Sequence, residues 1–158
     1  VIKLLDILLE MALPIEKYTG DISKFDGFED YDIKDVVADL NANKDVDMKI
    51  GKGDFPGNLT YYLLIANNKI IAGVTVYNKT GQVYGSETHP LIRGKGYANM
   101  LYTAVNDDVY KNIRRTLKSD NLLTSDGVRF WDSLVRKGKA RVIGKSTKGD
   151  YNSYEMIK

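Results

Sequence analysis

The sequence predicts an α+β domain: a mixed, mostly antiparallel central sheet flanked by helices, with an extra amphipathic helix at the N-terminus. Three observations lead there. Residues 59–66, 70–77 and 82–89 are dense in β-branched and aromatic side chains and are separated by short turn sequences, the pattern of an antiparallel meander. After Pro90 the apolar period changes from 2 to 3.6, and it does so again after Ser125. Two further short strand patterns close the chain. Strands followed by helices, with no repeat and no linker, indicate one sheet with helices packed on it.

Taken in order, Ile2, Leu5, Leu8 and Leu9 fall on one helical face, so residues 1–13 read as a short amphipathic helix that Pro14 stops. Residues 14–158 then form a single domain. Residues 15–31 are acidic and Gly-punctuated, a loop with a short strand near 15–18. Asp32 is placed to cap a helix through Val36, Val37 and Leu40 to about Asn43. Gly51, Gly53, Pro56 and Gly57 predict an irregular loop. Asn67-Asn68 suits a tight hairpin turn, and Thr80-Gly81 makes the next one. Ala98, Leu101, Tyr102, Val105, Val109 and Ile113 share one face of a helix after the Gly-rich turn. Residues 116–119 are a candidate strand. Ser125 or Asp126 caps a second helix that buries Val128, Trp131, Leu134 and Val135 and ends at Gly138. Residues 140–144 and 154–157 pair around Lys148-Gly149-Asp150.

Composition narrows the chemistry. At 158 residues, 43% hydrophobic and 28% charged, the chain can bury a core without staples. It has no cysteine, which removes disulfides, thiolate metal sites and a Cys nucleophile, and one histidine, His89, which removes a multi-histidine metal centre. The apolar run at the start carries Lys3 and Asp6 and is too short to span a bilayer, so no membrane association and a cytoplasmic location are expected. Charge is uneven: residues 1–90 sum to −5 and residues 91–158 to +7. The basic half suits a ligand with several phosphates; the acidic half suits a cationic acceptor. Lys111, Arg114, Arg115 and Lys118 lack the interleaved aromatic set of a single-strand binder, so nucleic acid is not expected as a partner.

The segment Arg93-Gly94-Lys95-Gly96-Tyr97-Ala98, between a strand and a helix, carries the chemistry. A helix start exposes unpaired N–H groups and the positive end of the dipole. Glycines let the backbone close on an anion, and Arg93 and Lys95 add positive charge. A pyrophosphate is the natural guest. There is no Gly-x-x-x-x-Gly-Lys-Ser/Thr and no third glycine in dinucleotide-fold spacing.

Pro90-x-x-Arg93-Gly94-Lys95-Gly96-x-Ala98 resembles the acetyl-CoA signature, Gln/Arg-x-x-Gly-x-Gly/Ala, of the GNAT superfamily of N-acetyltransferases, and residues 126–134 resemble its later helix. Residues from about 59 to 157 follow its order of elements; the first half of the chain does not. The resemblance implies acetyl-CoA as cosubstrate, no metal, and direct attack of a primary amine, on a small molecule or a protein, upon the thioester. It implies that Gly94, Lys95, Gly96, Tyr97, Ala98 and Asn99 hold the pyrophosphate together with Arg93. The strand around Glu87, Thr88 and His89 would lie along the pantetheine, with Trp131 beside it or in the core. Glu87 and His89 are the ionisable candidates for the base on that strand, because the position where the family most often carries a carboxylate falls near Gln82. Where many relatives carry an acidic tyrosine this chain has Trp131, leaving Tyr84, Tyr97, Tyr102 or solvent as the proton source. Trp131 and Gln82 also fit a non-catalytic acyl-CoA-binding or interaction module. Leu8-Leu9-Glu10 resembles the Leu-x-Glu sites cut by prohead proteases of tailed phages, which would suit a phage-encoded chain; the preferred reading is an ordinary amphipathic helix that docks on the domain or on a second subunit, as in a homodimer.

Overall fold

The computed structural model describes residues 13–20, 22, 28 and 31–158. The expected N-terminal helix and Leu8-Leu9-Glu10 lie outside the described residues.

Five strands form one sheet in sequential order: β1 (Ile15–Lys17), β2 (Met48–Phe55), β3 (Leu59–Ala66), β4 (Lys69–Tyr77) and β5 (Val83–Thr88). β1 runs parallel to β2, and the other neighbours are antiparallel. The β3–β4 hairpin turns on Asn67 and Asn68, at φ 47° and 65°. Two consecutive left-handed residues match the right-handed twist of the flanking strands, and asparagine tolerates that backbone better than most.

β2 corrects the expectation of an irregular loop. Its glycines are there for their neighbours' side chains. A Cβ at Gly53 would collide with the Tyr61 ring, and one at Gly51 would press within 3.0 Å of Ile65 and Tyr18. Tyr18 and Tyr61 pack edge to face at 6.2 Å over this part of the strand. Glycine inside a strand here marks a close approach by aromatic rings.

Helix α1 (Lys34–Asn41) starts where Asp32 Oδ1 accepts from Lys34 N–H at 2.9 Å. Helix α2 (Tyr97–Ile113) and helix α3 (Ser125–Arg136) follow the sheet, the latter capped by the Thr124 hydroxyl rather than by Ser125 or Asp126. β6 (Ala140–Lys145) and β7 (Asn152–Met156) form a separate antiparallel pair. The main core joins all three helices to one face of the sheet: Val36, Leu64, Val74, Leu101, Val105 and Leu134 are buried together. Phe28, Tyr61, Leu63, Ile65 and Ile70 form a smaller cluster on the opposite side.

The expected strand at 116–119 is a seam. Lys118 N–H donates to Gly81 O (2.9 Å) and Lys118 O accepts from Val83 N–H (2.8 Å), parallel to the start of β5. On its other side Ser119 N–H donates to Tyr154 O and Leu117 O accepts from Met156 N–H. Buried Asn106, on α2, holds it in place by accepting from Leu117 N–H at 2.8 Å and donating to Ile157 O. Past Val83 the ladder pairing of β5 is with β4 alone, and the pairing of 117–119 is with β7. The sheet splits at that point.

Candidate functional site

β5 leads into a 3-10 turn, Pro90–Ile92, and then the Gly-rich turn. Ile92 is buried and pins the segment; Arg93 is extended. Gly94 takes φ 74° and Gly96 φ 94°, ψ 0°. A Cβ at Gly94 would meet nothing within 4 Å, so its glycine answers to backbone angle and not to crowding. α2 begins at Tyr97, and its first helical bond runs from Met100 N–H to Gly96 O at 3.1 Å. The N–H groups of Tyr97, Ala98 and Asn99 therefore precede the ladder and have no intrahelical acceptor. Tyr97 and Asn99 bury their side chains, which fixes the direction in which those amides point.

The charged side chains of the turn brace the frame. Arg93 Nε donates to Thr88 O at 3.0 Å, and Lys95 Nζ donates to Asn41 Oδ1, at the end of α1, at 3.1 Å. A third cation joins them. Lys139, just beyond α3, donates to Asn99 Oδ1 at 3.0 Å, in the first turn of α2. Nothing local in the sequence reveals Lys139 as part of this region, because its partner lies 40 residues away.

The split edge of β5 faces the same region. His89 N–H donates to Ile71 O at 2.9 Å. Antiparallel alternation then turns the backbone groups of Ser86 and Thr88 away from β4, toward the gap. Gln82 ties the closed end, donating from Nε2 to Ser119 O at 3.3 Å. Tyr102, buried on α2, is hydrogen-bonded to the Ser86 side chain; burial pushes its hydroxyl up to about 12, Ser86 draws it down and Asp120 adds to the rise. Its ring packs edge-on against Phe130 at 4.7 Å and Trp131 at 5.7 Å.

Trp131 is 2% exposed and stacks on Tyr154 at 5.7 Å, 15° between planes. Of the two places expected for it, the structure gives the core; it has no surface to offer along a pantetheine. Tyr154 in turn donates to Asp132 Oδ1 at 2.5 Å; burial first, then this carboxylate, push its hydroxyl up to about 12.

Glu87 and His89 share strand parity but not a role. Glu87 is exposed, in a row with Gly73 and Leu63 on the face opposite α2. His89 is 5% exposed, and both ring nitrogens are engaged: Nδ1 accepts from Leu91 N–H at 3.1 Å and Nε2 lies 2.8 Å from Tyr31 O. Accepting at Nδ1 requires the proton to sit on Nε2, which donates to that carbonyl. His89 caps the turn before α2, beside the Phe28 ring at 5.1 Å. This corrects its reading as a base: it has no lone pair left for a substrate proton.

The concavity lined by Lys52, Tyr62, Val109 and Asn112, ≈ 170 Å³, lies at the far end of α2 from the turn. Asp108 there accepts from Lys52 at 2.6 Å and Tyr62 at 2.7 Å, a satisfied network with no link to the turn. Among the described residues no His, Cys, Asp or Glu group of three or more is placed to hold a metal ion, and no helix is long and apolar enough to cross a membrane.

No protein-family profile matches the chain, and no curated protein sequence does either. Among solved structures the chain is similar to the ribosomal-protein-S18-alanine N-acetyltransferase from Escherichia coli, at 14% identity over 64% of this chain and 68% of that one, TM-score 0.45. It is also similar to a nourseothricin acetyltransferase, at 13% identity over 72% of this chain and 84% of that one, TM-score 0.47.

Proposed function

We propose that this chain is an acetyl-CoA-dependent N-acetyltransferase, in keeping with the GNAT signature its sequence resembles. The observation that carries the reading is the pairing of Gly94 and Gly96 in left-handed backbone ahead of α2 with the outward-turned edge of β5. Left-handed glycines and the open amides of Tyr97, Ala98 and Asn99 suit a pyrophosphate. Arg93, Lys95 and Lys139 supply positive charge around it. The backbone groups of Ser86 and the N–H of Thr88 suit the amides of a pantetheine arm lying in the gap as an added strand would, the Thr88 carbonyl being held by Arg93.

In that arrangement the acceptor nitrogen attacks the thioester carbonyl, the new C–N bond forms as the C–S bond breaks, and the proton that the nitrogen sheds on becoming an amide passes, through Tyr102 or solvent, to the leaving thiolate, which departs as CoA. The ammonium proton passes to Glu87, directly or through one water, before attack. With His89 engaged in its cap, Glu87 is the proton acceptor this strand can offer. An outward N–H of β5 is suited to polarise the carbonyl. Tyr102 is the hydroxyl that reaches the gap wall. Trp131 contributes by holding Tyr102 and Phe130 in place.

A non-catalytic acyl-CoA-binding module is the second reading, favoured by Gln82, which spends its side chain on the seam, and by the engagement of His89. Thermal unfolding with and without acetyl-CoA tests what both readings share. A ligand that binds only the native state at a hundred times its Kd adds about 2.7 kcal/mol. For a chain of this size that is a rise of roughly 5–10 °C in midpoint. An unchanged midpoint, with no heat on titration, would sink both. Release of CoA with a panel of primary amines then separates enzyme from module.

A further inference from the structure

The sheet face that carries Glu87 has a stretch used by neither the cofactor reading nor the core. Across the strands, Phe55, Leu59 and Tyr77 form one row, Gly53, Tyr61, Thr75 and Gly85 the next, and Gly51, Leu63, Gly73 and Glu87 the third. The ring of Tyr61 lies over Gly53, toward β2 and away from β5. Over Gly85 a Cβ would meet nothing within 4 Å. The register of β5 slips between Gly85 and Val83, and the extra residue, Tyr84, places its ring edge-on against Tyr77 at 5.5 Å. Both rings are open to solvent, at 53% and 37% exposed, with Phe55 at 44% in the same row as Tyr77. At the other end, past Glu87, buried His89 and Phe28 close the strip.

A carboxylate and a pair of exposed tyrosine rings thus stand at the two ends of an open strip of backbone. They are three residues apart on β5, or about 10 Å. Among the described residues, the formal charge at the β4–β5 end of the strip, at Glu87, is negative; Glu16, at the far end of the same row, is paired with Lys49. A primary ammonium fits that end. At the other end exposed tyrosine faces attract a second cation through their ring quadrupoles, an effect worth a few-fold in affinity at an open site. The bare backbone at Gly85 suits a methylene chain between them.

We infer that this strip receives the acceptor, and that the acceptor is a linear di- or polyamine with nitrogens about 10 Å apart, one at Glu87 and one on Tyr77 and Tyr84. The inference rests on the acetyltransferase reading for the fate of the amine at Glu87, but its binding geometry is measured without turnover. The probe is 1,8-diaminooctane, titrated calorimetrically into the protein in excess CoA, beside 1,4-diaminobutane and octylamine. The long diamine binds at least about fivefold tighter than either control, one lacking the length and the other the second charge. Tyr84→Ala weakens it by about threefold to tenfold. Gly85→Val weakens it more than about tenfold, by standing a branched side chain on the strip. That variant keeps the fold, because Gly85 is outside the left-handed region and its Cβ meets open space. Equal affinity for the two diamines, tighter binding of octylamine, or indifference to Gly85→Val each overturns the inference. Absence of CoA binding in the same cell overturns the acetyl-CoA reading instead and leaves the diamine ranking legible.

Discussion

The two faces of the five-stranded sheet are finished in different ways. On one, α2 and its neighbours seal the strands under buried aliphatic and aromatic side chains, Trp131 and Tyr154 among them. On the other, the cluster around Phe28 and Tyr61 covers only part of the surface, and Gly85, Tyr84 and Glu87 are left in reach of solvent. The sealed face fixes where α2 begins, and so fixes the amides of the Gly-rich turn without help from any ligand. The partly open face positions little by packing, and what it offers is access. The proposed site, with one rigid anion to hold and one variable amine to admit, would need both.

Removing Trp131 tests the sealed face hardest. Trp131→Ala leaves a large cavity beside Tyr102, Phe130 and Tyr154, and a loss of about 3–5 kcal/mol is expected. Denaturant unfolding measures it. A loss under about 1 kcal/mol would mean that the aromatic cluster is not part of the cooperative core.

Gly96→Glu tests the turn between the faces. A carboxylate at this left-handed position stands where the pyrophosphate is proposed to lie, and CoA affinity should fall by more than about a hundredfold, or 2.7 kcal/mol. The fold should survive, losing about 1–2 kcal/mol to the backbone angle alone. Gly94→Ala is the control: its methyl meets nothing, so it carries a similar strain without the charge. Parental CoA affinity in the Glu variant would displace the phosphate site.

On the open face, Glu87→Gln should lower turnover of an alkylammonium acceptor by on the order of tenfold to a thousandfold. Stability should stay within about 0.5 kcal/mol, since Glu87 is exposed. The defect should shrink as pH rises, because more of the acceptor is then already the neutral amine that Glu87 would otherwise generate. A defect that is constant with pH assigns Glu87 to placing the acceptor and not to accepting its proton.

Local signals in the sequence reach some of this and not the rest. The Asn67-Asn68 turn, the meander and the start of α2 follow from short-range chemistry: residues that tolerate left-handed backbone, alternation, and a 3.6-residue period. β2 was hidden because Gly51 and Gly53 punctuate a loop unless Tyr18 and Tyr61 are known to lie across them. The 117–119 segment has too few residues to announce itself as a seam between two sheets. Lys139 joins the turn through a contact 40 residues long, and His89 meets Tyr31 across 58. Parity places Glu87 and His89 on one face, yet it says nothing about which of them is covered. That depended on Phe28 and Tyr31, in the half of the chain with no motif.

The smallest expected effect separates those two residues most sharply. His89→Ala removes the acceptor for Leu91 N–H and the donor to Tyr31 O, and should lower stability by about 1–2 kcal/mol. His89→Asn should recover part of that, since a side-chain carbonyl can accept from the N–H two residues on and keep the cap. Neither substitution touches the edge of β5 that faces the gap, because the His89 side chain points to the Phe28 side of the sheet. Below the unfolding midpoint, kcat in both variants should stay within about twofold of the parent, and its pH profile should keep its shape. The pair of measurements is diagnostic because a capping residue and a base fail differently. Loss of a cap lowers the midpoint and is relieved by asparagine. Loss of a base lowers kcat in a folded protein, and asparagine, which has no titratable nitrogen, relieves nothing. A well-folded His89→Asn variant with kcat reduced tenfold or more would return the histidine to the reaction and remove Glu87 from its place as the proton acceptor.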